Sequence, residues 1–262
     1  MVKKPKKKKT KKTFNYKEEI FNNASLVASF FGFKMIKSPR IEKKDSTIYK
    51  TLQSEDLISK DGIFDIRERT TLIRSYNEWE LSSLPSPVSI CYKRPLAEKG
   101  SGRTGESIAL DVFGLPSSTG EALILRTAVS ILEEAGMENL LLELNCTGDK
   151  ESFAEFEKNV SVFVRKNINT MPASMRKAVK KNIFAIYDGG SPEAEELAEQ
   201  APKSLAFLSE SSRVHFKEVL EYIESFGVPY ILNPRLIGHP KVTTNTIFQI
   251  RDESSKNRPI VA

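Results

Sequence analysis

The chain has 262 residues, 39% of them hydrophobic and 28% charged, with a formal net charge of +6, which is enough apolar content for a sizeable core and describes one globular domain carrying an insertion. No apolar run approaches the roughly 18 residues of a membrane span, and the lysines and "TFNYKEEI" at the N-terminus are unlike a secretory leader, so a cytoplasmic protein is expected. Cys91 and Cys146 stand far apart with only His215 and His239 to join them, which excludes the common zinc clusters, predicts no metal site, and leaves both cysteines as structural thiols.

In chain order, the first feature is "KKPKKKKTKK", with Lys3, Lys4, Lys6, Lys7, Lys8, Lys9, Lys11 and Lys12. These lysines exceed the whole net charge, so the rest of the chain is slightly acidic. Self-repulsion and the lack of anything to bury predict a disordered basic tail over residues 1–13, which either binds RNA or DNA phosphates or only solubilises the chain. Residues 14–31, "FNYKEEIFNNASLVASFF", place Ile20, Phe21, Leu26, Val27, Phe30 and Phe31 on one face of a helix stopped by Gly32. "FKMIKSPRI" reads as a strand broken at Pro39, and "GIFDIRERTTLIRSY" as a strand turning into a helix. "SPVSICYKRPL" and "ESIALDVFGL" are two further strands. A long helix then opens with Ser118 and Glu121 at capping-box spacing, carries Ala122, Leu125, Val129 and Leu132, and ends at Gly136. "ENLLLELN" is a buried strand, residues 149–226 are helical in pattern, and "VPYIL" returns to strand. The order predicts an α+β fold with an antiparallel sheet flanked by helices and a helical insertion over about residues 149–226.

Several motifs dissolve on inspection. "GSGRTG" satisfies G-x-G-x-x-G through Gly100, Gly102 and Gly105, but a β-like segment follows where a dinucleotide site needs a helix, so it reads as a hairpin loop. Lys93, Arg94, Lys99 and Arg103 make that hairpin basic, so it has charge for phosphates. His215 has no histidine one turn away and reads as a packed or capping residue, and His239, before Pro240, as an exposed turn residue. Glu133 and Glu134, like Glu195 and Glu196, read as solvated helix faces.

The series of pieces resembles the catalytic core of the class II histidyl-tRNA synthetase family and its catalytically silent paralogues, such as the regulatory subunit of ATP phosphoribosyltransferase. "FFGFKMIKSPRIE", with Pro39 and Glu42, looks like the family's motif 1, which implies a homodimer through that region. "LDVFGL" with "GEALIL", the turn at Asn145 and Gly148, and "EQAPKSLAFLSESSRVHFKEVLEYIESFGVPYILNPRLIG" follow in family order. The resemblance covers about residues 14–262 and implies a class II synthetase-like core that binds tRNA and, where activity is retained, ATP with magnesium.

Residue by residue, the chemistry departs from the family. The motif 2 arginine that clamps the ATP α-phosphate corresponds to Cys91, and the glutamate beside it to Lys93. Arg103 matches an ATP-binding arginine, while Ser107 stands where a glutamine contacts histidine. For the amino-acid pocket the resemblance carries over Thr71 and Asp111, the latter in place of a glutamate for the substrate amino group, and puts Arg69 where the family has a carboxylate. In "LNPRLIGHPKVTTNTIFQI", Gly238 takes the place of the adenylate-supporting arginine, Lys241 of an aspartate, and Val242 and Thr243 of the two tyrosines around the histidine side chain. The expectation is a histidyl-tRNA synthetase-like protein that is weakly active or inactive as this chain and binds RNA or a partner subunit, with no certain catalytic residue. An N-terminal fragment of an active histidine-tRNA ligase and a histidine-sensing regulatory paralogue are the alternatives.

Overall fold

The structure, a computed structural model, describes residues 23–45, 47, 66–97, 104–238, 243–253 and 259–261. The lysine tail, Lys99, Arg103, His239, Lys241 and Val242 therefore lie outside the described residues. Two units, divided after Leu115, are described in turn.

In the first unit, α1 (Asn23–Phe30) leads through Gly32, at φ 87°, into the short strand β1 (Lys34–Met35). The expected apolar face of α1 is met only in part: Ile20 and Phe21 lie outside the described residues, Val27 and Phe31 are half-buried, and Leu26 and Phe30, one turn apart, are 49% and 85% exposed, while Ser25 and Ala28 are the buried residues of the helix. Small side chains let this helix sit close on its inner side, and the large apolar ones form an outward stripe. Helix α2 (Ile66–Glu78) follows, then β2 (Val88–Ala97) and β3 (Thr104–Phe113). Strands β2 and β3 pair antiparallel from Val88↔Phe113 to Ala97↔Thr104, so the segment carrying "GSGRTG" joins two strands of a hairpin and opens no helix. Alternation along the strands sends Val88, Ile90 and Tyr92 of β2, with Ala109 of β3, into a core shared with Leu72 of α2 and Ile36.

The second unit begins with α3 (Ser118–Glu134) and β4 (Leu140–Cys146). The capping box expected at Ser118 is not formed, because Ser117 is the cap residue; Ser118 already lies in the helix and donates to Glu218 at 2.7 Å. Glu121 reaches His215 Nε2 at 2.8 Å instead of the helix end. Next come α4 (Lys150–Asn167), α5 (Ala173–Val179), α6 (Pro192–Gln200) and α7 (Glu210–Phe226), with 3-10 turns at Ile183–Asp188 and Ser204–Phe207. They enclose their own core, centred on Phe153, Phe156, Val160, Met175, Ile186 and Leu197. Strands β5 (Tyr230–Leu232), β6 (Thr246–Asp252) and β7 (Pro259–Val261) complete a sheet of order β5-β4-β6-β7.

The fold is α+β as expected, but its sheets are mixed and not antiparallel throughout. Strand β1 runs parallel to β2, and β5 parallel to β4, while β2–β3, β4–β6 and β6–β7 are antiparallel. A parallel neighbour needs a long crossover. The whole helical segment between β4 and β5 supplies one, so the insertion itself sets that strand's direction.

Candidate functional site

In the first unit the carried-over positions cluster where α2 covers the β2–β3 hairpin. Register places Arg94 opposite Ser107 and Ile90 opposite Asp111, so these residues share the face that carries Tyr92 and looks toward α2. From the first turns of α2, Arg69 Nη1 forms an ion pair with Asp111 Oδ1. Beside it Arg94 Nη1 donates to Glu68 Oε2 at 2.5 Å, and Arg94 Nε to Ser107 Oγ at 2.8 Å. Two ion pairs of opposite polarity thus bind helix to hairpin. Burial, the largest single influence, works against the Arg69 charge, but the Asp111 carboxylate together with Tyr92 and Glu68 outweighs it and holds the guanidinium above its ordinary pKa.

Thr71 does not join this group. It is two positions beyond Arg69 on the same helix, hence on another side, and its hydroxyl donates to Asp45 Oδ2 at 3.1 Å. Asp45 is buried and fully engaged: Arg74 binds it through Nε at 2.7 Å and Nη2 at 3.1 Å, and the Glu42 N–H donates at 2.8 Å. The Arg74 guanidinium, first among these, holds the Asp45 carboxyl below its usual range. Glu42, picked out with motif 1, is thus tied to α2 through Asp45. Nothing in the spacing of Asp45 and Arg74, 29 positions apart, pointed to that network.

Cys91 is also separate. Strand alternation puts it on the hairpin face opposite Asp111 and Arg94, across from Leu110. It is fully buried, and desolvation, with a smaller contribution from Asp111, pushes its thiol up to about 12. A neutral thiol there offers neither a cation for a phosphate nor a thiolate nucleophile.

In the second unit the segment over residues 233–238, "NPRLIG", is held by β4. Asn145, buried, donates from Nδ2 to the Leu236 carbonyl at 2.8 Å and accepts from Ser204 Oγ at 3.1 Å. Asn233 donates to Glu143 Oε2 at 2.8 Å and accepts the Arg235 N–H at 2.9 Å, and Arg235 continues to Glu195 at 2.6 Å and Glu199 at 2.8 Å. Glu195, expected on a solvated face, is therefore part of the support for this segment. Glu143 is the buried acid that sequence patterning hid, since "LLLELN" reads as apolar; it also accepts from Gln249 and faces Arg251 Nε at 3.2 Å.

That scaffold delivers Gly238 next to Thr243. A Cβ built on Gly238 would lie far inside contact distance of Thr243 Oγ1, at 2.7 Å from Thr243 Cβ and 2.8 Å from Ile247 Cδ1. The position has no room for a side chain. Asn245, at φ 56°, turns the chain into β6 and is held by the Gly148 carbonyl at 2.9 Å. Among the described residues no three His, Cys, Asp or Glu side chains converge to hold a metal ion, so no residue is assigned to magnesium.

No family model matches the chain. Its solved structural neighbours place it in the class II aminoacyl-tRNA synthetase fold: apo histidyl-tRNA synthetase from S. aureus superposes with a TM-score of 0.61 at 18% identity, covering 95% of this chain and 61% of that one. A second neighbour, described as an ATP phosphoribosyltransferase regulatory subunit/histidyl-tRNA synthetase from Bacillus halodurans, gives 0.57 at 15% identity, covering 90% and 68%. Within that class the chain is similar in sequence to histidine-tRNA ligases. It is 24% identical over 236 residues to the histidine-tRNA ligase of Desulforamulus reducens, which covers 84% of this chain and 56% of the ligase. The chain thus spans little more than half the length of that relative.

Proposed function

We propose that this chain is a histidyl-tRNA synthetase-like binding protein that does not activate histidine efficiently by itself, and that it engages tRNA or another RNA. One observation carries the reading: the polar groups at the carried-over positions of the first unit are already engaged by other side chains of the same chain. Asp111 is paired with Arg69, Ser107 with Arg94, and Thr71 with Asp45. A ligand would have to break those contacts to be read by them.

Two replacements support it. Activation of an amino acid with ATP builds negative charge that preorganised donors must meet, and removing one such donor costs about 2.7–4 kcal/mol of transition-state stabilisation. Cys91, uncharged and buried, stands at one such position, and Gly238, with no space for a side chain, at another. Arg103 would remain as a contact for ATP phosphates.

RNA affinity is assigned to the Lys3–Lys12 run together with Lys93 and Arg103 of the hairpin. A contact of this kind is sequence-blind and weakens steeply with salt. The outward stripe of Leu26 and Phe30 on α1 favours a homodimer through the motif 1 region, since an apolar stripe that exposed is stabilised by a covering surface.

The test has two arms. Filter binding of tRNA to the full chain and to a form lacking residues 1–13 will show salt-sensitive affinity in the first and a loss of roughly tenfold or more in the second at low salt. Equilibrium dialysis with labelled histidine will show no binding in the micromolar range typical of a substrate. Tight histidine binding, or tRNA affinity indifferent to the tail, overturns the proposal.

A further inference from the structure

We propose that Arg235 is a salt-sensitive latch coupling the start of helix α6 to the segment over residues 233–238, so that the two loosen together when its ion pairs are lost. The inference goes beyond the binding reading above and does not depend on it.

Three contacts meet at one place. Glu195 and Glu199 stand four residues apart on α6, hence one turn apart on the same face. Arg235 spans them, with Nη1 at 2.6 Å from Glu195 Oε2 and Nη2 at 2.8 Å from Glu199 Oε1. The other oxygen of Glu195 accepts the Gly190 N–H at 3.1 Å, so the same carboxylate fixes the turn that leads into α6. That turn fits tightly: Gly189 is at φ 67°, and a Cβ there would lie 2.8 Å from Glu195 Cδ and 3.3 Å from Arg235 Nη1. Turn, helix and ion pair are therefore packed against one another.

Exposure separates this tie from the ones behind it. The Arg235 side chain is 30% exposed, that of Glu195 48% and that of Glu199 65%, so dissolved salt screens their attraction. Asn145, by contrast, is fully buried, and it joins the Leu236 carbonyl to Ser204, which lies past the end of α6. Asn233 is anchored on buried Glu143. Salt weakens the outer tie and leaves the inner ones. Loss of the Arg235 contacts therefore loosens the start of α6 and the backbone at 235 and 236 about a fixed hinge at Asn145 and Ser204, without detaching the segment from β4.

The amides that report on the two sides are those of Gly190 and Glu195, and those of Arg235 and Leu236, which bond to Asn233. Their protection from hydrogen exchange is measured by NMR on the full chain and two variants. Arg235→Met keeps the apolar stem and removes the charge, and Glu195→Gln with Glu199→Gln leaves Arg235 in place. In both variants at about 0.05 M sodium chloride, protection at positions 190, 195, 235 and 236 will fall together, by about threefold to tenfold. Leu142 and Leu144 of β4, and Ala206 beside Ser204, will keep wild-type protection. Raising the salt to about 0.5 M will bring the wild type toward the variants and leave the variants unchanged. Loss confined to one of the two sides, an equal loss in β4, or wild-type protection indifferent to salt overturns the proposal. Global unfolding of Arg235→Met beside an intact double glutamine variant would equally contradict a local latch.

Discussion

Asp149 shows how much one side chain organises. It caps α4 by accepting the Ser152 N–H and hydroxyl, both at 2.8 Å, and its other oxygen accepts from Ser209 at 2.6 Å and Ser212 at 3.2 Å at the start of α7. Two helix N-termini thus share one carboxylate, which favours its ionised form. The Ser152 N–H, then the Ser209 hydroxyl, lower its pKa to about 2 from 3.8. A depressed carboxylate stabilises the fold fully above its unfolded pKa and loses that contribution as pH falls through the folded one. Asp149→Ala will therefore cost about 1–2 kcal/mol near neutral pH, as lost caps do. Melting curves taken downward from pH 5 will show the gap between variant and wild type closing between about pH 4 and 2; a gap independent of pH contradicts the assignment. At Gly238 the expectation is steric. Gly238→Ala drives a Cβ onto Thr243 and Ile247, and overpacking of this kind costs about 1–3 kcal/mol in urea unfolding. An unchanged midpoint would show that the neighbours yield freely. For the same reason Gly238→Arg alone restores no histidine activation.

At the scale of elements, long periodic segments were legible and the direction of apolar faces less so. The helices between β4 and β5, the β2–β3 hairpin and the buried strand "LLLELN" all follow from period and punctuation. Helix α1 broke the pattern because its buried side is made of Ser25 and Ala28, which carry little hydrophobic signal, while its strongest apolar residues face out. The capping box failed since Ser118 and Glu121 each found a tertiary partner on α7, and local spacing does not reveal a residue about a hundred positions away. Parallel pairing of β4 with β5 was equally hidden, being a property of the crossover and not of either strand. The insertion core makes the prediction at this scale. Phe156 is fully buried and packs against the rings of Phe153, Phe184, Tyr187 and Phe207. Phe156→Ala will cost about 3–5 kcal/mol, and amide exchange should quicken first in α4, α5 and the Ile183–Asp188 turn. Exchange that instead quickens first in the β2–β3 hairpin would contradict an insertion core of its own.

For the molecule as a whole, the order of pieces carried the fold further than any single motif: identity is only 24% to the ligase of Desulforamulus reducens, yet the synthetase-like architecture is retained. What the sequence itself made legible was departure from the resemblance, at Cys91 in the first unit and at Gly238 and Thr243 in the second. How the remaining groups are spent was not legible, because Arg69 with Asp111, Arg94 with Glu68 and Thr71 with Asp45 are separated by 42, 26 and 26 positions. Those pairs engage the carried-over groups of the first unit within the chain itself, and the proposed reading stands on that point. Its most direct test is histidine-dependent exchange of labelled pyrophosphate into ATP by the full chain, with magnesium present and a histidine-tRNA ligase as positive control. The account predicts exchange indistinguishable from that without histidine, whereas clear histidine-dependent exchange would contradict it.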